Sequence, residues 1–298
     1  MTNAMTNRRE FVKIAAAFGT TAATAQAASP WAKMIGLEMW TVRELFAKDA
    51  EGTLAKVAEV GYKEIEPTSY GNLDPKAFRA LMDKYKLTAP STHAGANEGP
   101  NLEKELEGFQ VMGFKYTEIR GPRQAREPVT VESVKKRCAG LNRQGEISKK
   151  FGMKMLVHNH TEEFDLIEGT KTCIYDILLA ETNPALVTLQ LDIGWASVAG
   201  QNILELFKKN PGRFELWHVK DATGIKSAPA DATPAQRRKL AKLVPIGEGE
   251  VDYAPIFKQA KLAGLKHFAI EQDNAAASGD AIAAARTSFT NLSKLLNT

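Results

Sequence analysis

The stretch "KMLVHNH" (Lys154–His160) runs an apolar triplet into two histidines, in a chain of 298 residues that has only five. Met155, Leu156 and Val157 follow a glycine that closes a long helical pattern, and a short apolar run placed so reads as a buried strand. Strand side chains alternate between faces, so His158 and His160 are predicted on one face and Asn159 on the other. Two imidazoles at the end of an apolar strand are either satisfied core residues or groups that share a centre.

Working outward, the same unit recurs. "IGLEMW" (35–40), "KEIEPT" (63–68), "LTAPSTH" (87–93) and "KYTEIRG" (115–121) precede it. "VTLQLDIGW" (187–195), "FELWHVKD" (214–221) and "HFAIEQD" (267–273) follow it. Amphipathic segments separate these runs. "TLAKVAEVGY" and "LEKELEGFQVMG" stop at glycine, and "PKAFRALMDKY" opens on Pro75, which suits a first helical turn. Eight strand–helix units with no break in composition predict a single (β/α)8 barrel, spanning residues 29–298, in place of a doubly wound sheet. Hydrophobic content of 44% supports a core of that size. The longest irregular stretch, "ATGIKSAPADATPAQ" after the seventh strand, is placed to act as a lid.

Residues 1–28 read differently. "NRREFVK" puts Arg8 and Arg9 before Phe11, a mild alanine-rich run follows, and Ala25-Gln26-Ala27 fits an A-x-A cleavage site. This resembles a twin-arginine export signal, so the expected location is the periplasm, with the mature chain beginning near Ala28. The run is too short to remain as a membrane span. The net charge is +4, and this leader holds half of the excess. The remainder is nearly balanced, with "QRRKLAKL" (236–243) as a solvated helix face, so no nucleic-acid partner is expected. Two cysteines, Cys138 and Cys173, are too few for a disulfide framework or a thiolate metal site; both are predicted within helices.

In a (β/α)8 barrel the active site lies at the C-terminal strand ends. Here those ends carry Glu66, His93, Glu118, Arg120, His158, His160, Asp192, His218, Lys220, Glu271 and Asp273. Buried ionisable groups in that number are costly unless compensated, and a divalent metal removes much of the cost. Two imidazoles and two carboxylates suit Mn, Zn, Fe or Co better than an ion that prefers oxygen alone, and the candidate ions are Mn, Zn, Co, Fe and Mg.

"HNHTEEF" (158–164), "LDIGW" (191–195), "WHVKD" (217–221), "PIGEGEVDY" (245–253) and "AIEQD" (269–273) together resemble the xylose isomerase-like TIM-barrel superfamily. The likeness is strongest to its sugar (phosphate) isomerase/epimerase branch and covers Ile35 to the C-terminus. It implies Asp192, His218 and Glu271 as ligands of one divalent metal ion. The fourth family ligand is usually a glutamate on strand five; this chain has His158 there, with His160 or Glu163 as alternatives. The resemblance also implies proton abstraction next to a metal-polarised carbonyl of a sugar or keto-sugar. Glu271 is the expected base, and His160, Lys220 or Glu163 would serve the opposite face. Elimination or hydration of a keto-glycoside is the alternative reaction, and a non-catalytic sugar-binding barrel the alternative class. A phosphodiesterase like the apurinic endonucleases needs more histidines and a more basic face.

The remaining candidates each have a plain reading beside the functional one. Trp40 is either an apolar wall for a sugar ring or a cap on the barrel. Glu66 and His93 either contact substrate or hold other side chains. Glu163 either binds substrate or fixes a histidine tautomer. Lys220 either stabilises a developing oxyanion or pairs with an acid. No phosphate-binding glycine cluster is evident, so an unphosphorylated small carbohydrate is the expected partner; a homo-oligomer is compatible with the sequence.

Overall fold

A computed structural model describes residues 29–121 and 128–298. The proposed export signal lies outside the described residues. Eight parallel strands form one sheet. The first seven are β1 (Ile35–Glu38), β2 (Glu64–Glu66), β3 (Ser91–Asn97), β4 (Tyr116–Arg120), β5 (Lys154–His158), β6 (Val187–Asp192) and β7 (Leu216–Val219). An excursion holding β8 (Asp221–Thr223) and β9 (Lys242–Val244) follows, and β10 (His267–Ile270) completes the sheet. The strand order is β2-β1-β10-β7-β6-β5-β4-β3. β2 meets the segment leading into β3 through a bridge, Glu64–Thr88, and the His93 amide of β3 donates to the Pro67 carbonyl just after β2, so the barrel is nearly closed.

The helices fall where the amphipathic segments are, and local chemistry sets their ends. Asp74 caps the helix Pro75–Lys84 by accepting from the Ala77 amide. Thr130 and Ser133 form a reciprocal capping box at the start of Val131–Lys150. Cys138 lies inside that helix, whereas Cys173 precedes Ile174–Glu181 as its cap residue, a correction to its predicted place within a helix.

Every residue of β6 is buried. Val187, Leu189 and Leu191 join the apolar core under the helices, so Thr188, Gln190 and Asp192 face the barrel interior. Tyr116, Leu156 and Leu216 form a separate apolar layer inside the barrel. Above it, register sets His158 beside Gln190 and Asp192 beside His218. The site is therefore a polar layer resting on an apolar one.

Two expectations need correction. β3 runs on past His93 to Asn97, with a register shift between Thr92 and Ala96, so His93 is not terminal. The stretch after β7 is not irregular throughout. β8 pairs antiparallel with β9, and the helix Pro234–Leu240 lies between them.

Candidate functional site

The C-terminal strand mouths surround a cavity of about 520 Å³ lined by Glu38, Trp40, His93, His158, His160, Glu271 and Asp273, among others. Local backbone chemistry explains why the motifs around it look as they do. Asp221 accepts from the amides of Ala222, Gly247, Gly249 and Val251, which ties "PIGEGEVDY" to the end of β7. A Cβ on Gly249 would lie 2.1 Å from Asp221 Oδ1, so only glycine fits. Gly194 of "LDIGW" is similar: a Cβ there would meet the Lys220 Cβ at 2.5 Å. These glycines let the chain close around Lys220 and Asp192.

His158, Asp192, His218 and Glu271 each offer one ligand atom, all within 4.8 Å of one another. His158 Nδ1 is buried without a hydrogen-bond partner, His218 Nδ1 lies 2.7 Å from Glu271 Oε2, and Asp192 Oδ2 and Glu271 Oε2 both face Lys220. Two imidazoles and two carboxylates gathered in so small a buried space are the donor set of a divalent cation. The residues thus fit the implied metal, with His158 as the fourth member of this group, while His160 and Glu163 fall with Glu162 in another.

Lys220 is fully buried beside this group. Its Nζ lies 3.2 Å from Asp192 Oδ2, 3.0 Å from Glu271 Oε2 and 2.9 Å from Asp273 Oδ2. Burial opposes its charge, but Asp192, Glu271 and Asp273 outweigh burial and hold the amine protonated. Burial also opposes the charge on Glu271, yet Lys220 and His218 keep that carboxyl well below its usual range. Burial, then the neighbouring charges of His218, His93 and Lys220, hold His158 well below the ordinary histidine value, so it is a neutral imidazole. That is the form in which histidine binds metals.

Glu66 and His93 are turned toward protein partners. Glu66 accepts from Gln190 Nε2 at 2.8 and 3.0 Å and pairs with His218 Nε2 at 2.5 Å. Burial raises its pKa, but His93 and His218 reverse this and bring it to about 2. His93 Nε2 lies 2.7 Å from Gln190 Oε1, and its Nδ1 lies 3.2 Å from Glu118 Oε1. Burial opposes the His93 charge, but Glu66 and Glu118 overcome it and push His93 up to about 10.

His160 lies just beyond β5, so strand alternation does not by itself set its side. Asn159 leaves the ladder to accept from the Asp192 amide, and the His158 and His160 rings still meet at 4.9 Å. Glu163 accepts from the His160 backbone amide at 2.8 Å and not from a ring. Trp40 is 44% exposed at the mouth, with the Arg43 guanidinium 4.4 Å from its ring. Across the mouth, Arg238 of the excursion helix pairs with Glu162 and lies 4.8 Å from the Trp195 ring.

Sequence reasoning passed over Glu38 and Gln190. Glu38 ends β1, is buried, accepts from the Trp40 amide, and is pushed well above the usual carboxylate range by burial and then by Glu271. An acid at a strand end was the available signal. Gln190 gave none, because a neutral amide inside "VTLQLD" resembles any core polar residue.

Residues 54–292 match the protein family described as xylose isomerase-like TIM barrel. An inosose dehydratase of Geobacillus kaustophilus is 29% identical over 231 residues, 68% of this chain and 73% of that protein. A sugar phosphate isomerase/epimerase structure from Parabacteroides distasonis superposes with a TM-score of 0.69 at 21% identity, covering 87% of this chain and 97% of that one. The IolI protein with a bound zinc atom has a TM-score of 0.60 at 16% identity, covering 88% and 98%.

Proposed function

The chain belongs to the xylose isomerase-like TIM-barrel family, and from that premise we propose that it is a metal-dependent enzyme that removes a proton next to the carbonyl of a small, unphosphorylated keto-sugar or keto-glycoside. The observation that carries this reading is the buried group of His158, Asp192, His218 and Glu271, whose ligand atoms all lie within 4.8 Å of one another. These residues would hold one divalent ion, which when bound polarises a carbonyl and favours the negative charge that develops on it.

The chain's own groups supply the rest. Glu271 takes the proton. A carboxylate held so low is a weak base, so the C–H must lie next to a carbonyl to be acidic enough. Lys220 keeps its proton and places a positive charge 3.0 Å from the base. Trp40 offers an apolar face to the ring at the mouth, and Glu163 holds the loop that carries His160.

Of the two outcomes, isomerisation or epimerisation and loss of a β-substituent, the second has specific support. Direct proton exchange between two faces suits a second carboxylate, and this chain has the neutral His158 in that place. The relative from Geobacillus kaustophilus is named a dehydratase. In elimination the C–H electron pair becomes the C=C bond, the β C–O bond breaks, and His160 gives a proton to the departing oxygen. Epimerisation follows if His160 instead gives its own proton to the same carbon from the opposite face.

Metal-loaded protein should be incubated with keto-sugars and keto-glycosides in deuterated water and followed by NMR. Deuterium at one carbon, or a conjugated enone with released water or alcohol, is the expected result. Glu271→Gln at saturating metal should slow it about 10²–10⁴-fold. Neither exchange nor product from fully loaded protein across both substrate classes would overturn the reading.

The resemblance of residues 1–28 to a twin-arginine export signal supports placing this activity in the periplasm. No helix among the described residues is long and apolar enough to cross a membrane.

A further inference from the structure

We propose that Gln190, through its single side-chain amide, is a positioning residue that sets which nitrogen of His218 is offered to the metal. The inference rests on the metal reading above and concerns how the protein prepares the site.

The argument is one of donors and acceptors. The Gln190 amide nitrogen reaches both oxygens of Glu66, at 2.8 and 3.0 Å, and its oxygen lies 2.7 Å from His93 Nε2. An amide has one donating end and one accepting end. With the donating end on Glu66, the accepting end requires His93 to present Nε2–H. The reverse orientation would set the amide oxygen against a carboxylate in a buried site. Glu66, receiving hydrogen bonds from Gln190, then takes a further one from His218 Nε2 at 2.5 Å. With Nε2–H committed there, Nδ1 is the His218 nitrogen that faces Glu271, 2.7 Å from its Oε2, and the one that a metal would take in place of its proton. A carboxylate behind a metal-binding imidazole fixes its tautomer and ring direction. Here that carboxylate is itself held by Gln190, from a position 124 residues away in sequence. Glu66 and His93, both expected from the sequence as substrate contacts, thereby become parts of the support. The Gln190 side chain is buried in the barrel interior, does not line the cavity and reaches no ligand directly.

The test compares zinc affinity by chelator competition in the parent, Gln190→Met and Gln190→Glu, with circular dichroism to confirm that each folds. Gln190→Met removes the donor and the acceptor at similar volume. Gln190→Glu is isosteric but sets an oxygen against Glu66. Positioning by hydrogen bonding predicts zinc binding weaker by about 10–100-fold in both, with Gln190→Glu at least as impaired at neutral pH. It also predicts partial recovery of Gln190→Glu alone toward lower pH, relative to the parent at the same pH. Once protonated, the carboxyl group introduced by that substitution again donates to Glu66 and accepts from His93. A mere packing role predicts the isosteric Gln190→Glu to be harmless. Folded Gln190→Glu that binds zinc as tightly as the parent would overturn the inference. A parent that binds no zinc would overturn the metal reading first, and this inference with it.

Discussion

Lys220→Met removes one positive charge that three carboxylates share in a fully buried place. At the 3.0 Å separation of Lys220 and Glu271, the gross attraction is ~5–6 kcal/mol at an effective dielectric constant of about 20. Desolvation of both partners offsets part of this. Removing one partner of a buried pair, however, leaves the other charge uncompensated, at a typical cost of about 3–5 kcal/mol. The metal-free Lys220→Met protein should therefore be less stable by that amount, a fall in Tm of roughly 6–20 °C for a chain of this size. A divalent ion at the four-residue site would restore positive charge to Asp192 and Glu271 and leave Asp273 alone without it. Zinc should consequently stabilise the variant more than the parent and narrow the gap. The assay is urea unfolding followed by tryptophan fluorescence, for both proteins, with chelator and with saturating zinc. If Lys220→Met and the parent unfold together in chelator, the three carboxylates do not depend on Lys220. If zinc leaves the gap unchanged, the ion and the ammonium do not serve the same oxygens.

His158→Ala should bind zinc at least about tenfold more weakly while the barrel still folds; equal affinity would move the fourth ligand to His160 or Glu163. The folded pKa of His93 is raised to about 10 from an ordinary 6.5, so its stabilising contribution is complete below about 6.5 and is lost as pH rises through 10. The stability difference between the parent and His93→Gln should shrink over that interval, and a difference flat in pH would contradict the His93 pairing with Glu66 and Glu118. Lysine at both Arg8 and Arg9 should keep the protein in the cytoplasm of a host with twin-arginine export; undiminished periplasmic yield would remove the export assignment.

Much of the fold was legible because local periodicity reports which face of an element is buried. The eight apolar runs became the eight barrel strands, and Pro75, Gly61 and Gly113 mark helix boundaries as their backbone preferences require. The strand-end rule likewise placed Asp192, His218 and Glu271 among the polar residues at the barrel mouth, and the family resemblance singled them out as a set. Boundaries that depend on long-range pairing were not legible. β3 continues past His93 because a register shift against β4 carries it on, and β8 exists because residues 242–244 return to pair with it.

For the site, the sequence supplied the residue types and the end of the barrel at which they gather. Only the tertiary structure decided partners and atoms. It turned Glu66 to His218, 152 residues away, set His93 between Gln190 and Glu118, and gave Lys220 three carboxylates. It also placed His158 with Asp192, His218 and Glu271, and His160 with Glu162 and Glu163. Periodicity specifies a face, but a hydrogen bond or a metal ligand is specified by a distance and an angle. Those follow from strand register, side-chain rotamers and the closing of the barrel, which bring together residues that no local pattern links.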